Sequence, residues 1–246
     1  TNLDKWSTVE NNWDSYTLSN NSGEVNIINT KIYANNEGVN AFAFDVDDNA
    51  SYTSKPVVNV SGENTLVRGN VEVDLPDNLN ISGGLFTNEI EDEWCAEGYI
   101  PTTIVVDGIT YYTVKHGEYV AQVGDKKFES FDEALAAASA TDEIVILKTI
   151  VLSETKTINF ENIAVNSTVN PAFRITDGAT VTVENGNMDT EDVAYNFILG
   201  ASDGTSAGNL TIKSGKYHAS TTVASVTKGN LAIEGGEFSA TSYNGS

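Results

Sequence analysis

Cysteine and histidine are scarce in this chain of 246 residues, and their scarcity excludes several kinds of site. Cys95 is the only cysteine, so no disulfide can form within the chain, and one thiol cannot by itself build a structural zinc site. We interpret Cys95 as a small buried hydrophobic residue. His116 and His218 are the only histidines. Neither lies in a nucleophile motif, and we interpret both as surface residues.

Basic residues are also few. Thirteen Lys and Arg stand against 35 Asp and Glu, which gives a formal net charge of −22. Nucleic acids and anionic membrane surfaces bind clustered basic residues, so neither partner is expected. No apolar run is long enough to cross a bilayer, so we expect no membrane insertion. The acidity is typical of a soluble, exposed protein.

One nine-residue phrase occurs four times and organises the chain. Each copy has two apolar residues two apart, a glycine three residues after the second, and a large apolar residue two after that glycine. The copies are Asn209–Tyr217, Asn230–Phe238, Asn78–Phe86 and the looser Thr180–Met188. The first two copies are offset by 21 residues.

The phrase predicts a strand, a bend and a second strand. Apolar residues two apart share one face of a strand, and glycine permits a bend that most residues cannot make. Such a unit buries its apolar face only by stacking on a copy of itself. The period therefore predicts a parallel β-solenoid. An antiparallel β-sandwich with similar hairpins is the alternative.

Other segments supply the elements around the phrase. We interpret residues 1–23 as an irregular lead-in with apolar anchors that include Trp6 and Trp13. Residues 189–208 have the composition of a long loop inserted between two copies. Further strands are predicted at 25–27, 41–44, 58–60, 69–73, 143–147, 157–160, 163–165 and 173–175.

Two short helices are predicted from capping signals. Asn88 followed by Glu91 resembles an N-cap with its reciprocal partner, which predicts a helix that begins after Asn88. Ser130 followed by Glu133 is a capping box and predicts a second helix, with Leu135 buried. We expect each helix to cover the open end of a stack of strands, because an uncovered end exposes unpaired strand edges.

Two hairpins are predicted between these helices. Asp107-Gly108 is a strong type I′ turn signal between two strands at 104–106 and 109–114. A second, shorter hairpin is expected at 119–128, with its turn at Gly124-Asp125.

Two parts of the chain resemble modules of known proteins. The run from Val120 to Ala134, followed by Ile144–Lys148, resembles a β-helix entry module of large surface proteins from gut-dwelling Gram-positive bacteria. Ile81–Thr87, leading to Trp94–Tyr99, is similar to the exit module of the same proteins. The resemblance covers most of residues 55–246 and rests on structural motifs.

This resemblance implies a fold and a role. The fold is the right-handed, pectate-lyase-like β-helix. The implied location is extracellular, at the cell surface, and the implied role is a scaffold or adhesin segment. Host or plant glycans and other surface proteins are the partners that such a role suggests.

The predicted fold class is therefore all-β, a parallel right-handed β-helix in two modules with short capping helices and a hairpin connector. The first module spans 1–99, the connector 100–117 and the second module 118–246. The second module carries its N-terminal capping helix at about 130–140. Because the repeat is still running near residue 238, we expect the chain to be part of a longer one.

One stretch is a candidate for a metal. Asp45, Asp47 and Asn49 place oxygens at alternate positions, like the first half of a calcium loop. Ala50 stands where such a loop needs glycine, and Pro56 where it needs a bidentate glutamate. Calcium is thus the one candidate cofactor, and a solvated acidic turn is the alternative.

No catalytic residues are predicted. The leading interpretation is a non-enzymatic cell-surface scaffold or adhesin segment. A carbohydrate-active β-helix enzyme, such as a polysaccharide lyase or glycosidase, is one alternative, because paired carboxylates meet in space rather than in sequence. A phage or surface-layer fibre component is another.

Overall fold

Two units make up the chain in the computed structural model, which describes residues 15–34 and 41–241. The first unit is Thr1–Glu118 and the second is Tyr119–Ser246. Both consist mostly of short strands in parallel sheets, so the all-β prediction is confirmed. Trp6 and Trp13 lie outside the described residues. The part of the predicted lead-in that is described includes a strand at Ser15–Leu18.

In the described part of the first unit, the first nine strands go in turn to three different sheets, and every third of them returns to the same sheet. The last two strands form a hairpin that extends one of these sheets. The three sheets have the orders β1-β4-β7, β2-β5-β8 and β10-β11-β9-β6-β3. The strands are β1 (Ser15–Leu18), β2 (Gly23–Ile28), β3 (Lys31–Tyr33), β4 (Ala41–Val46), β5 (Pro56–Ser61), β6 (Leu66–Arg68), β7 (Asn70–Val73), β8 (Leu79–Ile81), β9 (Leu85–Phe86), β10 (Tyr99–Val106) and β11 (Ile109–His116).

The second unit repeats this plan. Its sheets have the orders β13-β12-β14-β17-β20-β23-β26, β15-β18-β21-β24 and β16-β19-β22-β25. Its elements are β12 (Ala121–Val123), β13 (Lys126–Phe128), α1 (Phe131–Ala137), β14 (Glu143–Ile146), β15 (Ile150–Leu152), β16 (Lys156–Asn159), β17 (Ala164–Ser167), β18 (Phe173–Ile175), β19 (Thr180–Glu184), β20 (Gly186–Thr190), β21 (Tyr195–Leu199), β22 (Gly208–Ile212), β23 (Gly215–Ala219), β24 (Thr222–Val226), β25 (Gly229–Ile233) and β26 (Glu237–Ala240).

The copies of the repeated phrase pair in parallel and in register. Leu210 lies beside Leu231 and Ile212 beside Ile233 in the β22–β25 pair. In the first unit, β5 and β8 pair in the same way, with Val58 beside Leu79. These pairings confirm the predicted stacking of the phrase and exclude the antiparallel sandwich for these strands.

Aromatic rings run through the core of the second unit. Phe173 and Phe197 stack with their ring centroids 5.3 Å apart, and Phe197 meets Tyr217 edge-on at 6.2 Å. Tyr217 stacks on Phe238 at 5.2 Å. At the α1 end of this row of rings, the ring centroid of Phe131 lies 5.0 Å from that of Phe173. Tyr217 is thus a core residue, as its place in the phrase predicts, and its hydroxyl donates to the Ser214 carbonyl.

The helix α1 begins as predicted but is shorter than predicted. The Ser130 hydroxyl accepts a hydrogen bond from the Glu133 backbone N–H, which confirms the N-cap. The helix ends at Ala137 instead of near residue 140. Phe131 is its buried aromatic side chain, whereas Leu135 is only half-buried, so the prediction that Leu135 is buried was wrong. A helix of two turns has one narrow inner face, and Leu135 lies at its margin.

The helix predicted after Asn88 is absent from the described structure. The chain makes only a single 3-10 turn at Asp92–Trp94, and the Asn88 amide donates to the Asn70 side chain instead of capping a helix. Cys95 is extended and bridges Ile81 in parallel, and the Ala96 N–H donates to the Ile81 carbonyl. Pairing with the edge of β8 therefore takes precedence over the local capping signal.

The predicted loop at 189–208 was also wrong. Gly186–Thr190 and Tyr195–Leu199 are the regular strands β20 and β21, each paired with its neighbours in parallel. Only residues 200–207, between β21 and β22, form a long connection without strands. The hydrophobic pattern did not predict these strands because two of their inward residues are polar. Thr190 and Asn196 are both buried and are hydrogen-bonded to each other.

Both hairpins form where they were predicted. Asp107 and Gly108 have φ values of 52° and 78°, as a type I′ turn requires. The hairpin between 100 and 117 continues a sheet of the first unit, since Tyr112 of β11 pairs with Phe86 of β9. The shorter hairpin, β12–β13, turns at Gly124.

Ile212 and Ile233 test how much burial in the stack contributes to stability. Both occupy the same position of the phrase, but Ile212 is fully buried and Ile233, on the last strand of its sheet, is 55% exposed. We expect Ile212→Ala to lower the free energy of unfolding by about 2–5 kcal/mol and Ile233→Ala by less than about 1 kcal/mol. Urea unfolding monitored by circular dichroism measures both, and equal losses would contradict the burial argument.

Gly229 tests the close approach of neighbouring strands. It has a φ of 126°, and a Cβ there would overlap the carbonyl oxygen of Gly208 on β22. Gly204 also has a positive φ, 70°, but lies in open space. We expect Gly204→Ala to cost about 1–2 kcal/mol through backbone strain alone and Gly229→Ala to cost clearly more. Thermal unfolding of the two variants measures the difference, and a Gly229→Ala variant as stable as Gly204→Ala would show that the strands separate freely.

Candidate functional site

Of the three predicted calcium ligands, Asp45 already accepts hydrogen bonds from the protein. The Asp45 carboxylate is buried and accepts hydrogen bonds from the Asn20 N–H at 2.6 Å and the Ser19 hydroxyl at 2.7 Å. Both of its oxygens therefore hold protein donors and fix the turn that follows β1 against the end of β4.

Asp47 and Asn49 form a separate pair at the surface of the acidic turn after β4. Partial burial raises the pKa of the Asp47 carboxyl, against the opposing effect of a hydrogen bond from Asn49. Within 15–34 and 41–241, no group of three or more His, Cys, Asp or Glu residues is placed to hold a metal ion. Calcium at Asp45, Asp47 and Asn49 stays a prediction.

Cys95 is a poor candidate for a nucleophile. It is half-buried rather than fully buried, and its sulfur lies 3.6 Å from the Glu91 carbonyl oxygen. Burial, with a smaller effect of Asp92, raises the pKa of the thiol to about 11. The thiolate is the reactive form of cysteine, so this thiol is almost entirely unreactive at neutral pH.

The two histidines lie in different settings. The His116 ring stacks on Tyr99 with 4.3 Å between centroids. His218 of β23 lies in register between Asp189 of β20 and Ser239 of β26. Its Nδ1 faces the Ser239 hydroxyl at 2.8 Å and its Nε2 faces the Thr241 hydroxyl at 3.1 Å.

The set of Asp189, His218 and Ser239 is not a catalytic triad. In a triad the aspartate holds one imidazole nitrogen and the serine the other. Here both nitrogens of His218 face hydroxyl groups, so neither is left to bond Asp189. The arrangement follows from the strand register and resembles an outward polar ladder of a sheet more than a reaction centre.

Among the described residues, a groove on the outer face of one sheet in the first unit is a further candidate site. On the inner face of that sheet, Ile32, Val67 and Phe86 are buried on β3, β6 and β9, and Tyr112 of β11 packs against the same core. Because side chains alternate along an extended chain, the residues that follow Ile32, Val67 and Phe86 point outward, and so does the residue before Tyr112 on β11. Thr87, which follows Phe86, lies just beyond the end of β9.

These outward residues form one row across four strands, which we call the outer row: Tyr33, Arg68, Thr87 and Tyr111. Tyr33 lies beside Arg68 in the β3–β6 pair. The register of β6 with β9, and of β9 with β11, continues the row through Thr87 to Tyr111. Neighbouring strands lie about 4.8 Å apart, so the two tyrosines stand about 14 Å apart at the ends of the row.

The groove along the outer row has a volume of about 600 Å³. Its lining is aromatic at the two ends and polar in the middle, and Arg68 is the only charged residue among the described residues that line it. The lining residues are Tyr33, Ala34, Ala41, Leu66, Arg68, Gly69, Asn70, Thr87, Asn88, Ile109 and Tyr111.

Short side chains and the hydrogen bonds of side-chain amides shape the middle of the groove. A Cβ at Gly69 would overlap the Ala34 side chain, so the floor there depends on glycine. The Asn88 amide donates to the Asn70 side chain at 2.7 Å, and the Thr87 hydroxyl donates to the Asn88 amide oxygen at 3.0 Å. A fixed set of amide and hydroxyl groups therefore borders Arg68.

Sequence reasoning did not find this groove. Its residues come from several strands that are separated in the chain, and no single motif contains them. The signal that could have found them is the alternation itself, since Tyr33 and Arg68 each follow an inward residue.

Comparison of the chain with protein-family models, with curated proteins and with solved structures found no match. Across the described ranges, the model contains no helix that is long and apolar enough to span a membrane.

Asp45 tests whether the acidic turn is held together by protein donors. Asp45→Ala leaves the Asn20 N–H and the Ser19 hydroxyl without their acceptor, so we expect it to cost about 1–3 kcal/mol of unfolding free energy. Asp47→Ala is the control and should cost less than about 0.5 kcal/mol. Urea unfolding in buffer that contains EDTA removes any effect of calcium. Equal effects of the two substitutions would refute the structural role of Asp45.

Proposed function

We propose that each unit is a parallel β-helix of the right-handed, pectate-lyase-like kind that the sequence resemblance implies. Support comes from the strand order, in which every third strand returns to the same sheet in parallel. Further support comes from the phrase, whose apolar residues lie side by side in neighbouring strands, as Leu210 and Leu231 do. Experimental determination of the structure, with the hand of the crossover between consecutive strands as its readout, tests this assignment.

We further propose that the chain is a non-enzymatic segment of an extracellular, cell-surface scaffold or adhesin. The observation that carries this proposal is the division between an apolar interior and hydrogen-bonded polar ladders outside. In the first unit, the Asn59 amide donates to Asn26 at 3.0 Å, and Asn80 donates to Asn59 at 3.1 Å. Asn230 donates to Asn209 at 2.9 Å in the second unit.

Such ladders suit a surface scaffold for a physical reason. Each amide bonds to its equivalent on the neighbouring strand, so the ladders hold adjacent strands together from the outside as the core does from the inside. The formal charge of −22 keeps such a surface soluble and opposes self-association. The partners proposed for it are glycans of a host or a plant, or other surface proteins.

Adhesion of coated beads tests the proposed function. We expect beads coated with the full chain to adhere to mucin or plant cell-wall glycans more than beads coated with the heat-denatured chain. The same glycans are then incubated with the soluble chain, with and without calcium, and assayed for new reducing or unsaturated ends. Adhesion without new ends supports the proposal, whereas new ends would establish the lyase or glycosidase alternative. Absence of adhesion to every surface would refute the adhesin role.

A further inference from the structure

We propose that the groove along the outer row binds a neutral oligosaccharide. This proposal deepens the proposed function, because it names a site and a ligand class for the adhesin. The site itself is a property of the folded first unit and can be tested with soluble sugars, independently of any adhesion to surfaces.

The two ends of the outer row supply surfaces for the apolar faces of sugar rings. Tyr33 and Tyr111 are both half-buried, so their rings are held by the fold while part of each remains accessible from the groove. A sugar ring has one face made of C–H groups, and aromatic side chains offer flat apolar surfaces with little loss of conformational entropy. Two such surfaces about 14 Å apart favour an extended ligand of several rings over a single sugar.

The middle of the row matches the hydroxyl groups of such a ligand. Asn70 and Asn88 each carry a side-chain amide with two N–H donors and an oxygen that can accept more than one hydrogen bond. The Thr87 hydroxyl holds this set in place, because it donates to Asn88 and accepts from the Gly69 N–H. Neighbouring hydroxyls of a sugar also donate and accept, so a side-chain amide can bond two of them at once. The bond between Asn88 and Asn70 orients these amides before a ligand binds, which lowers the entropic cost of binding.

The charge of the lining decides against charged ligands. Of the described residues that line the groove, none is acidic, so these residues supply no carboxylate for a metal ion or a cationic peptide. Arg68 is a single positive charge on a chain whose net charge of −22 repels polyuronates and nucleic acids before they dock. With a neutral sugar, the planar guanidinium can donate to hydroxyls or stack on a ring.

The dimensions of the groove are suitable for this ligand. A volume of about 600 Å³ lies inside the range of roughly 300–1,000 Å³ that is typical of small-molecule sites. The outer row lies on the face of the sheet opposite the buried side chains of Ile32, Val67 and Phe86, so the groove is on the outside of the first unit's core.

The first experiment screens the intact chain against an array of short oligosaccharides. The neutral arm holds fragments of β-glucan, xylan, mannan and N-acetylhexosamine polymers, and the acidic arm holds sialylated and uronate fragments. We expect binding in the neutral arm. Titration of the best neutral fragment into isotopically labelled chain, followed by NMR, should shift the signals of Tyr33, Thr87, Asn88 and Tyr111. Shifts that cluster elsewhere on the chain, or no neutral binder on the array, would overturn the proposal.

Matched substitutions then separate the groove from the rest of the surface. We expect Tyr33→Ala and Tyr111→Ala each to weaken binding by about tenfold, and Tyr111→Phe, which keeps the ring, by much less. Tyr52→Ala is the control, because Tyr52 is 52% exposed in the same unit and does not line the groove. It should leave binding unchanged.

Two outcomes would count against the site and leave the proposed function intact. Unchanged affinity in both Tyr33→Ala and Tyr111→Ala, with normal thermal unfolding, would show that the groove does not bind the sugar. Preferential binding of the acidic arm would refute the neutral ligand class. In either case, adhesion of coated beads would still support an adhesin that uses another surface.

Discussion

Parallel strands pair in register at a spacing of about 4.8 Å, and this constraint determines most of the structure. Each inward side chain must pack directly against its equivalent in the neighbouring strand, so the core favours residues that stack well on their own kind. Phe173 on Phe197 and Leu210 beside Leu231 are two examples. The size and shape of a residue at such a position must therefore fit the equivalent residues on the two neighbouring strands. This requirement explains why the phrase recurs with so little change.

The same register also arranges the outer surface. Residues that alternate with the core form rows across the sheets, whether or not they have a shared chemical role. In one sheet the row is a ladder of amides that includes Asn59, and in another it places Asp189, His218 and Ser239 side by side. The outer row from Tyr33 to Tyr111 lines a groove of about 600 Å³ and places a tyrosine at each of its ends.

The sequence was informative where local pattern and sheet pairing agree. The phrase predicted the strands and their register, and the turn signal at Asp107-Gly108 and the cap at Ser130 predicted a hairpin and a helix start. It failed where pairing opposes local pattern, as after Asn88, or where buried polar pairs such as Thr190 and Asn196 replace apolar residues. The groove was missed because its residues meet only through strand register, which depends on the lengths of the intervening connections.

Two equivalent connections in the second unit differ in length, although the four strands that they join all have five residues. Residues 200–207 separate β21 from β22, whereas only Thr227 and Lys228 separate the equivalent strands β24 and β25. The pairing of these strands therefore does not depend on the length of the connection that precedes each of them. Gly208 and Gly229 do not tolerate substitution as the connections do, since any side chain at Gly229 would overlap the backbone of Gly208. Over generations, we expect substitutions to accumulate in the connections while these two glycines persist.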